Sequence, residues 1–173
     1  MNIERAKKNF KIYLSLGSNL GDRMNNIENA IDQINKELGE VNKISSFYET
    51  PSWGFNSSND FLNVTLELIS SLTPEETLIK IQEIETGIGR DRSVIKSHEM
   101  DYHDRIIDID IIDFEGEVRN EKKLTLPHPK FHMRKFVLIP LHEIAPKYAH
   151  PLTNQGIEKL IEICADNSEV RKV

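Results

Sequence analysis

Two aspartates on one stretch of chain are the residues best suited to chemistry. The run Arg105-Ile106-Ile107-Asp108-Ile109-Asp110-Ile111-Ile112-Asp113 is dominated by β-branched isoleucine, which favours a β-strand. Side chains alternate along a strand, so Ile107, Ile109 and Ile111 share one face while Asp108 and Asp110 share the other. Residues two apart lie roughly 6–7 Å apart at Cα, so both carboxylates can converge on one small cation or a close pair. Hard divalent cations such as magnesium take oxygen ligands and often bind through one or two carboxylates plus substrate phosphates. Phosphoryl chemistry is the first hypothesis. The plain alternative is a solvated sheet face whose like charges are kept apart by water.

Arginines add to the first reading. Arg90, Arg92 and Arg105 bracket the stretch 90–104, which is rich in charge, lacks periodicity and feeds straight into the aspartates. The guanidinium fork matches phosphate oxygens in pairs. A loop of this length without structure is usually functional or disordered. The turn Gly17-Ser18-Asn19-Leu20-Gly21 could cradle a phosphate, but it lacks the lysine and spacing of a Walker A sequence. No Walker A or protein-kinase signature occurs elsewhere, nor does Gly-x-Ser-x-Gly. His128 and His132 are four apart, but Pro129 opposes a regular helix between them. His142-Glu143 lacks the second histidine of a zinc protease, and one cysteine leaves a structural zinc site unsupported.

The elements that must position these groups are legible by period. Residues 11–16 alternate as a strand, with Ile12, Leu14 and Leu16 on one face and Tyr13 and Ser15 on the other. Asp22 is a helix N-cap; Ile27, Ala30, Ile31, Ile34 and Leu38 follow at helical spacing, and Gly39 ends the helix. Residues 41–50 are read as a second strand and 51–60 as a loop rich in Ser, Asn and Gly. In the strand 61–69, Leu62, Val64, Leu66 and Leu68 oppose Phe61, Asn63, Thr65 and Glu67. Thr73-Pro74-Glu75-Glu76 is a capping box opening a second helix through Ile88. After the aspartate strand come a turn at Glu115-Gly116, a short return strand, a helix from Phe131 up to Pro140 and a last helix around residues 157–164. The order is that of a ferredoxin-like β-α-β-β-α-β core, an α+β fold with an antiparallel sheet and both helices on one face, plus C-terminal helices and a small hairpin. Tyr13, Ser15, Phe61, Asn63, Asp108 and Asp110 then fall on the opposite face as the floor of a site.

Composition sets the class. The 173 residues suit one domain, 1–173, with a real core. A net charge of −6 argues against a nucleic-acid partner. Cys164 has no partner for an intramolecular disulfide and fits a reducing compartment. The apolar run after Arg5, Lys7, Lys8 and Lys11 is too short for a signal peptide or a membrane span, so a cytoplasmic protein is expected. No heptad or interface patch declares itself, and a monomer is expected.

Taken in order, the segments resemble the 6-hydroxymethyl-7,8-dihydropterin pyrophosphokinases of folate biosynthesis. The matching pieces are Tyr-Leu-Ser-Leu-Gly-Ser-Asn-Leu-Gly (13–21), Phe-Tyr-Glu-Thr-Pro (47–51), Phe-Leu-Asn-Val (61–64) and Ile-Glu (84–85). They continue with Gly-Arg-Asp-Arg (89–92), Arg-Ile-Ile-Asp-Ile-Asp-Ile (105–111), Leu-Pro-His-Pro (126–129) and Arg-Lys-Phe-Val-Leu-Ile-Pro-Leu (134–141). The resemblance implies transfer of pyrophosphate from ATP to the pterin hydroxymethyl group, with AMP released. It implies that Asp108 and Asp110 bind two magnesium ions, with Arg90, Arg92 and Arg105 as the catalytic arginines. Thr50, Pro51, Trp53, Phe61, Asn63 and Phe136 would hold the pterin. Gln82, Glu85, Arg92, Arg105, Ile111, Thr125, His128 and Arg134 would meet the nucleotide. The chain departs from the pattern before Arg105: many members carry Trp-Gly-Pro where this chain has Tyr102-His103-Asp104, so Tyr102 or Trp53 would have to cover the pterin. The competing classes are a non-catalytic ferredoxin-like ligand-binding module and a magnesium-dependent nucleotidyltransferase.

Overall fold

In the computed structural model, which describes residues 8–90 and 103–173, the strand β1 (Phe10–Ser18) runs antiparallel between β4 (Phe61–Ser70) and β5 (Asp108–Phe114). The sheet continues from β4 to β3 (Tyr48–Thr50) and β8 (Arg171–Lys172), while β2 (Glu40–Ile44) also pairs with β4. This is the expected ferredoxin-like arrangement, with the first and third core strands central. One face of the sheet carries helices α1 (Arg23–Glu37) and α2 (Pro74–Ile88). Between them lies the main core: Leu14, Leu16, Val64 and Leu66 from the strands meet Ile27 and Ile34 of α1 and Ile81 of α2, each at most 1% exposed. Each such side chain contributes roughly 1.5–3 kcal/mol of burial.

Local chemistry sets the helix ends. The Asp22 carboxylate accepts the Asn25 N–H at 3.1 Å, and Thr73 and Glu76 form the reciprocal capping box. Leu38 caps α1, and Gly39 follows at φ 156, where a Cβ would lie 2.2 Å from the Ile69 carbonyl oxygen. Only glycine lets the chain pass that close to β4.

Four features differ from the periodicity. The strand expected over 41–50 is two pieces, because Ser45 turns its own side chain into the ladder: its Oγ accepts the Thr65 N–H at 2.9 Å while its N–H donates to Thr65 O. The aspartate strand begins at Asp108 rather than Arg105 and bulges opposite Tyr13. That bulge puts Phe114, not Asp113, into the main core, and Asp113 accepts the Tyr148 hydroxyl at 2.9 Å on the other face. Pro140 lies inside α3 (Lys135–Ile144) instead of ending it; its ring removes one intrahelical donor, and burial of Val137, Leu138 and Leu141 carries the helix through. The second face of the sheet is not all site floor. Here α3 and α4 (Ile157–Ile163) cover Tyr13 and Ile112 in a second core with Phe131 and Leu160. Tyr13, read as part of the floor, is 8% exposed and donates to Glu67 at 3.0 Å beneath this layer. Residues β6 (Arg119–Asn120) and β7 (Thr125–Leu126) form the small hairpin. Among the described residues no helix is long and apolar enough to cross a membrane.

Candidate active site

The uncovered part of the second face is built from three strands in register. Asp108 pairs with Gly17, and Gly17 pairs on its other side with Asn63; one step along, Asp110 pairs with Ser15. Strand alternation therefore sets Asp108 and Asn63 in one row on the same face. Gly17 keeps the space between them open, since a Cβ there would lie 3.1 Å from Asn63 Oδ1 and 3.4 Å from the Phe61 ring. Ser15, Gly17, Asn63, Asp108 and Asp110 line one cleft.

Positive charge converges on the aspartates. Arg105 donates to Asp108 Oδ2 and Arg90 to Asp108 Oδ1, both at 2.6 Å. Arg134, 6% exposed, donates to Asp110 Oδ2 at 3.0 Å, and His128 Nε2 lies 3.6 Å from the same oxygen. Removal from bulk water opposes charge on Asp108, but Arg105 and Arg90 outweigh it and hold its carboxyl below the usual carboxylate range. Burial pushes His128 below the usual histidine range against the pull of Asp110. Beneath this cluster lies Glu85 of α2, fully buried. It accepts the Ile109 N–H at 2.8 Å and pairs with Arg90. Among the described residues β5 is an edge strand with no neighbour on that side, and Glu85 satisfies this N–H.

Rings form the opposite wall. Trp53 and Phe136 meet edge-on with centroids 6.5 Å apart, and Phe55 meets Phe61 at 6.2 Å. The Arg134 guanidinium lies 5.0 Å from the Trp53 ring centre. Asn63, 2% exposed, donates from Nδ2 to Thr50 Oγ1 at 2.9 Å, which orients its amide at the cleft floor.

Of the residues named from the sequence, the cleft gathers Thr50, Pro51, Trp53, Phe61, Asn63, Arg105, Asp108, Asp110, Arg134 and Phe136. Others stand elsewhere. Glu85 spends its carboxylate on protein partners, Gln82 lies one turn earlier on α2, and Ile111 is packed in the main core. Thr125 and His128 line an adjoining groove of about 800 Å³ that shares Trp53 with the cleft. Arg92 and Tyr102 lie outside the described residues. Phe55 was missed; the Trp53-Gly54-Phe55 doublet, unusual in so polar a loop, was its signal.

The donor set fits a hard dication. Both aspartates offer only oxygen and keep 24% and 32% of their side-chain surface exposed. Hard dications of this kind often bind through one or two carboxylates together with substrate phosphate oxygens.

A ferredoxin-like α+β chain that brings paired carboxylates, arginines and an aromatic slot into one cleft has the build of a phosphoryl-transfer enzyme. Residues 13–146 match the family model described as 7,8-dihydro-6-hydroxymethylpterin-pyrophosphokinase (HPPK). The chain belongs to this family. It is 39% identical over 148 residues to the 2-amino-4-hydroxy-6-hydroxymethyldihydropteridine pyrophosphokinase of Aquifex aeolicus, covering 86% of this chain and 88% of that protein. It is 43% identical over 141 residues to the Porphyromonas gingivalis enzyme of the same name, covering 81% and 93%. Among solved structures, wild-type HPPK-DHPS of Plasmodium falciparum aligns with a TM-score of 0.70 at 19% identity, a likeness of fold. That alignment covers 90% of this chain and 43% of the larger one.

Proposed function

We propose that the chain transfers the pyrophosphoryl group of ATP to the hydroxymethyl group of 6-hydroxymethyl-7,8-dihydropterin, giving the pterin diphosphate and AMP in folate biosynthesis. The observation that carries this reading is one cleft with the Asp108/Asp110 pair on one side and the Trp53, Phe61 and Phe136 rings on the other. A flat heterocycle is held by rings on its faces and polar groups at its edge. Phe61 and Phe136 take the faces; Asn63 and Thr50, with the Pro51 backbone, take the edge. The triphosphate lies towards Arg90, Arg105 and Arg134, and the nucleoside towards Thr125 and His128.

In the reaction the pterin hydroxymethyl oxygen attacks the β-phosphorus in line with departing AMP. Such transfers depend on positioning and charge stabilisation more than on covalent help from the protein. Asp108 and Asp110 would hold magnesium, two ions by the resemblance, and bound magnesium polarises phosphoryl oxygens and offsets their charge. Arg90 and Arg105 on one side and Arg134 on the other present forked donors to the transferring group. The aromatic wall fixes the pterin so that its alcohol faces the phosphates, and it excludes water that would otherwise compete as acceptor.

Incubation with magnesium, ATP and the reduced pterin alcohol, followed by phosphorus NMR, tests the reading. AMP and a pterin diphosphate in equal amounts are expected. ADP, free pyrophosphate or unchanged ATP would contradict it.

A further inference from the structure

Helix α3 starts without a cap of its own. Its first turn carries no acid, and the N-cap position, which favours Ser, Thr, Asp or Asn, is Arg134, whose side chain makes no capping bond. That guanidinium is committed to the cleft: it donates to Asp110 Oδ2 at 3.0 Å and lies 5.0 Å from the Trp53 ring centre. The acceptor comes instead from 31 residues further along the chain, where Asp166 Oδ2 takes the Lys135 N–H at 2.9 Å. This satisfies a donor that no helical carbonyl can reach and puts a negative charge at the positive end of the helix dipole. Asp166 Oδ1 accepts the Ser168 N–H at 3.0 Å and its hydroxyl at 2.6 Å, which fixes the carboxylate on its own segment. That segment runs on into β8, which pairs with Tyr48 and Glu49 beside Thr50. It lies beyond residues 13–146, the part matched by the family model.

We infer that Asp166 is a positioning residue for the pterin subsite: by capping α3 from a distant segment, it holds the first turn and with it Phe136 in the aromatic wall. The inference rests on the assignment of that wall to the pterin given above. The arrangement reconciles two demands on one position. An N-cap side chain would have to turn back onto the helix, whereas the cleft needs the Arg134 guanidinium on Asp110 and Trp53. Phe136 stands one residue past the capped N–H and is only partly buried against the second core, so the first turn depends on its cap. Asparagine caps a helix about as well as aspartate, and alanine does not cap at all.

Steady-state kinetics of the full chain in magnesium, with each substrate varied while the other saturates, tests it. Asp166→Ala should raise KM for the reduced pterin alcohol about 5-fold, which is a cap of roughly 1 kcal/mol at 1.4 kcal/mol per decade. KM for ATP should stay within about 2-fold, because Arg90, Arg105 and Asp108 stand on other elements. Asp166→Asn, which keeps an acceptor for the Lys135 N–H, should return the pterin KM to within about 2-fold of native. Tyr148→Phe serves as a control for stability alone: it removes the hydroxyl bound to Asp113 in the second core and leaves the first turn of α3 untouched. It should lower the melting midpoint with no rise in the pterin KM. A native pterin KM in Asp166→Ala, an equal rise for both substrates, or an equal rise in Tyr148→Phe overturns the inference and leaves the assigned activity standing. A native protein that makes no pterin diphosphate overturns both.

Discussion

The Glu85 carboxylate and the Ile109 amide are 2.8 Å apart, and this bond ties helix α2 to the strand at the residue between the two aspartates. The same carboxylate anchors Arg90, whose guanidinium reaches Asp108. One buried acid thus sets both the backbone of the carboxylate pair and one of its arginines. Glu85→Ala should leave a buried N–H bare at a cost of about 1–3 kcal/mol. The melting midpoint should drop by about 2–4 °C per kcal/mol. Glu85→Gln keeps an acceptor for Ile109 and should lose less. Equal melting of the alanine variant and the native protein would contradict this.

The aromatic wall predicts a division between the two substrates. Phe136 meets Trp53 at 6.5 Å and lines the cleft as part of its aromatic wall. Ring contacts contribute about 0.5–1.5 kcal/mol beyond area burial. Phe136→Ala should therefore raise KM for the pterin by about tenfold, at 1.4 kcal/mol per decade, with little change for ATP. Steady-state kinetics with each substrate varied in turn measures the split. A matching rise in both values would place Phe136 outside the pterin subsite.

Acid stability has one clear contributor away from the cleft. Burial alone would raise the Glu143 carboxyl, but hydrogen bonds from the Ser46 hydroxyl and N–H, the Tyr48 hydroxyl and Lys172 hold it down to about 2. Its folded value lies below the unfolded 4.5, so its stabilisation is complete above about pH 4.5 and is lost as pH falls towards 2. Glu143→Gln should therefore melt less steeply with pH in that window. Its loss relative to the native protein should be greatest at neutral pH. Thermal melts from pH 7 to 3 measure this, and parallel pH profiles of the two proteins would contradict it.

Alternation made the site-bearing strands readable, because each puts apolar residues on a deeply buried face and chemistry on the other. Asp108, Asp110 and Asn63 meet as their parity requires. Capping at Asp22 and Thr73 was equally legible, since those bonds are local. What escaped depends on distant partners. The break at Ser45 needs Thr65 opposite it, and β8 pairs with Tyr48 and Glu49 from more than a hundred residues away. The cover over Tyr13 comes from helices late in the chain. The resemblance assigned Glu85 to the nucleotide, and nothing nearby in sequence announces that an edge-strand N–H will need its carboxylate.

The central claim is that the Asp108/Asp110 pair organises the transfer, and Asp110→Ala tests it most directly. Loss of a group worth about 4 kcal/mol in the transition state lowers kcat about a thousandfold, at 1.36 kcal/mol per decade. Turnover of ATP and the pterin alcohol should fall by at least that factor, while the variant melts cooperatively within a few degrees of the native protein. A folded Asp110→Ala protein with near-native turnover would contradict the account.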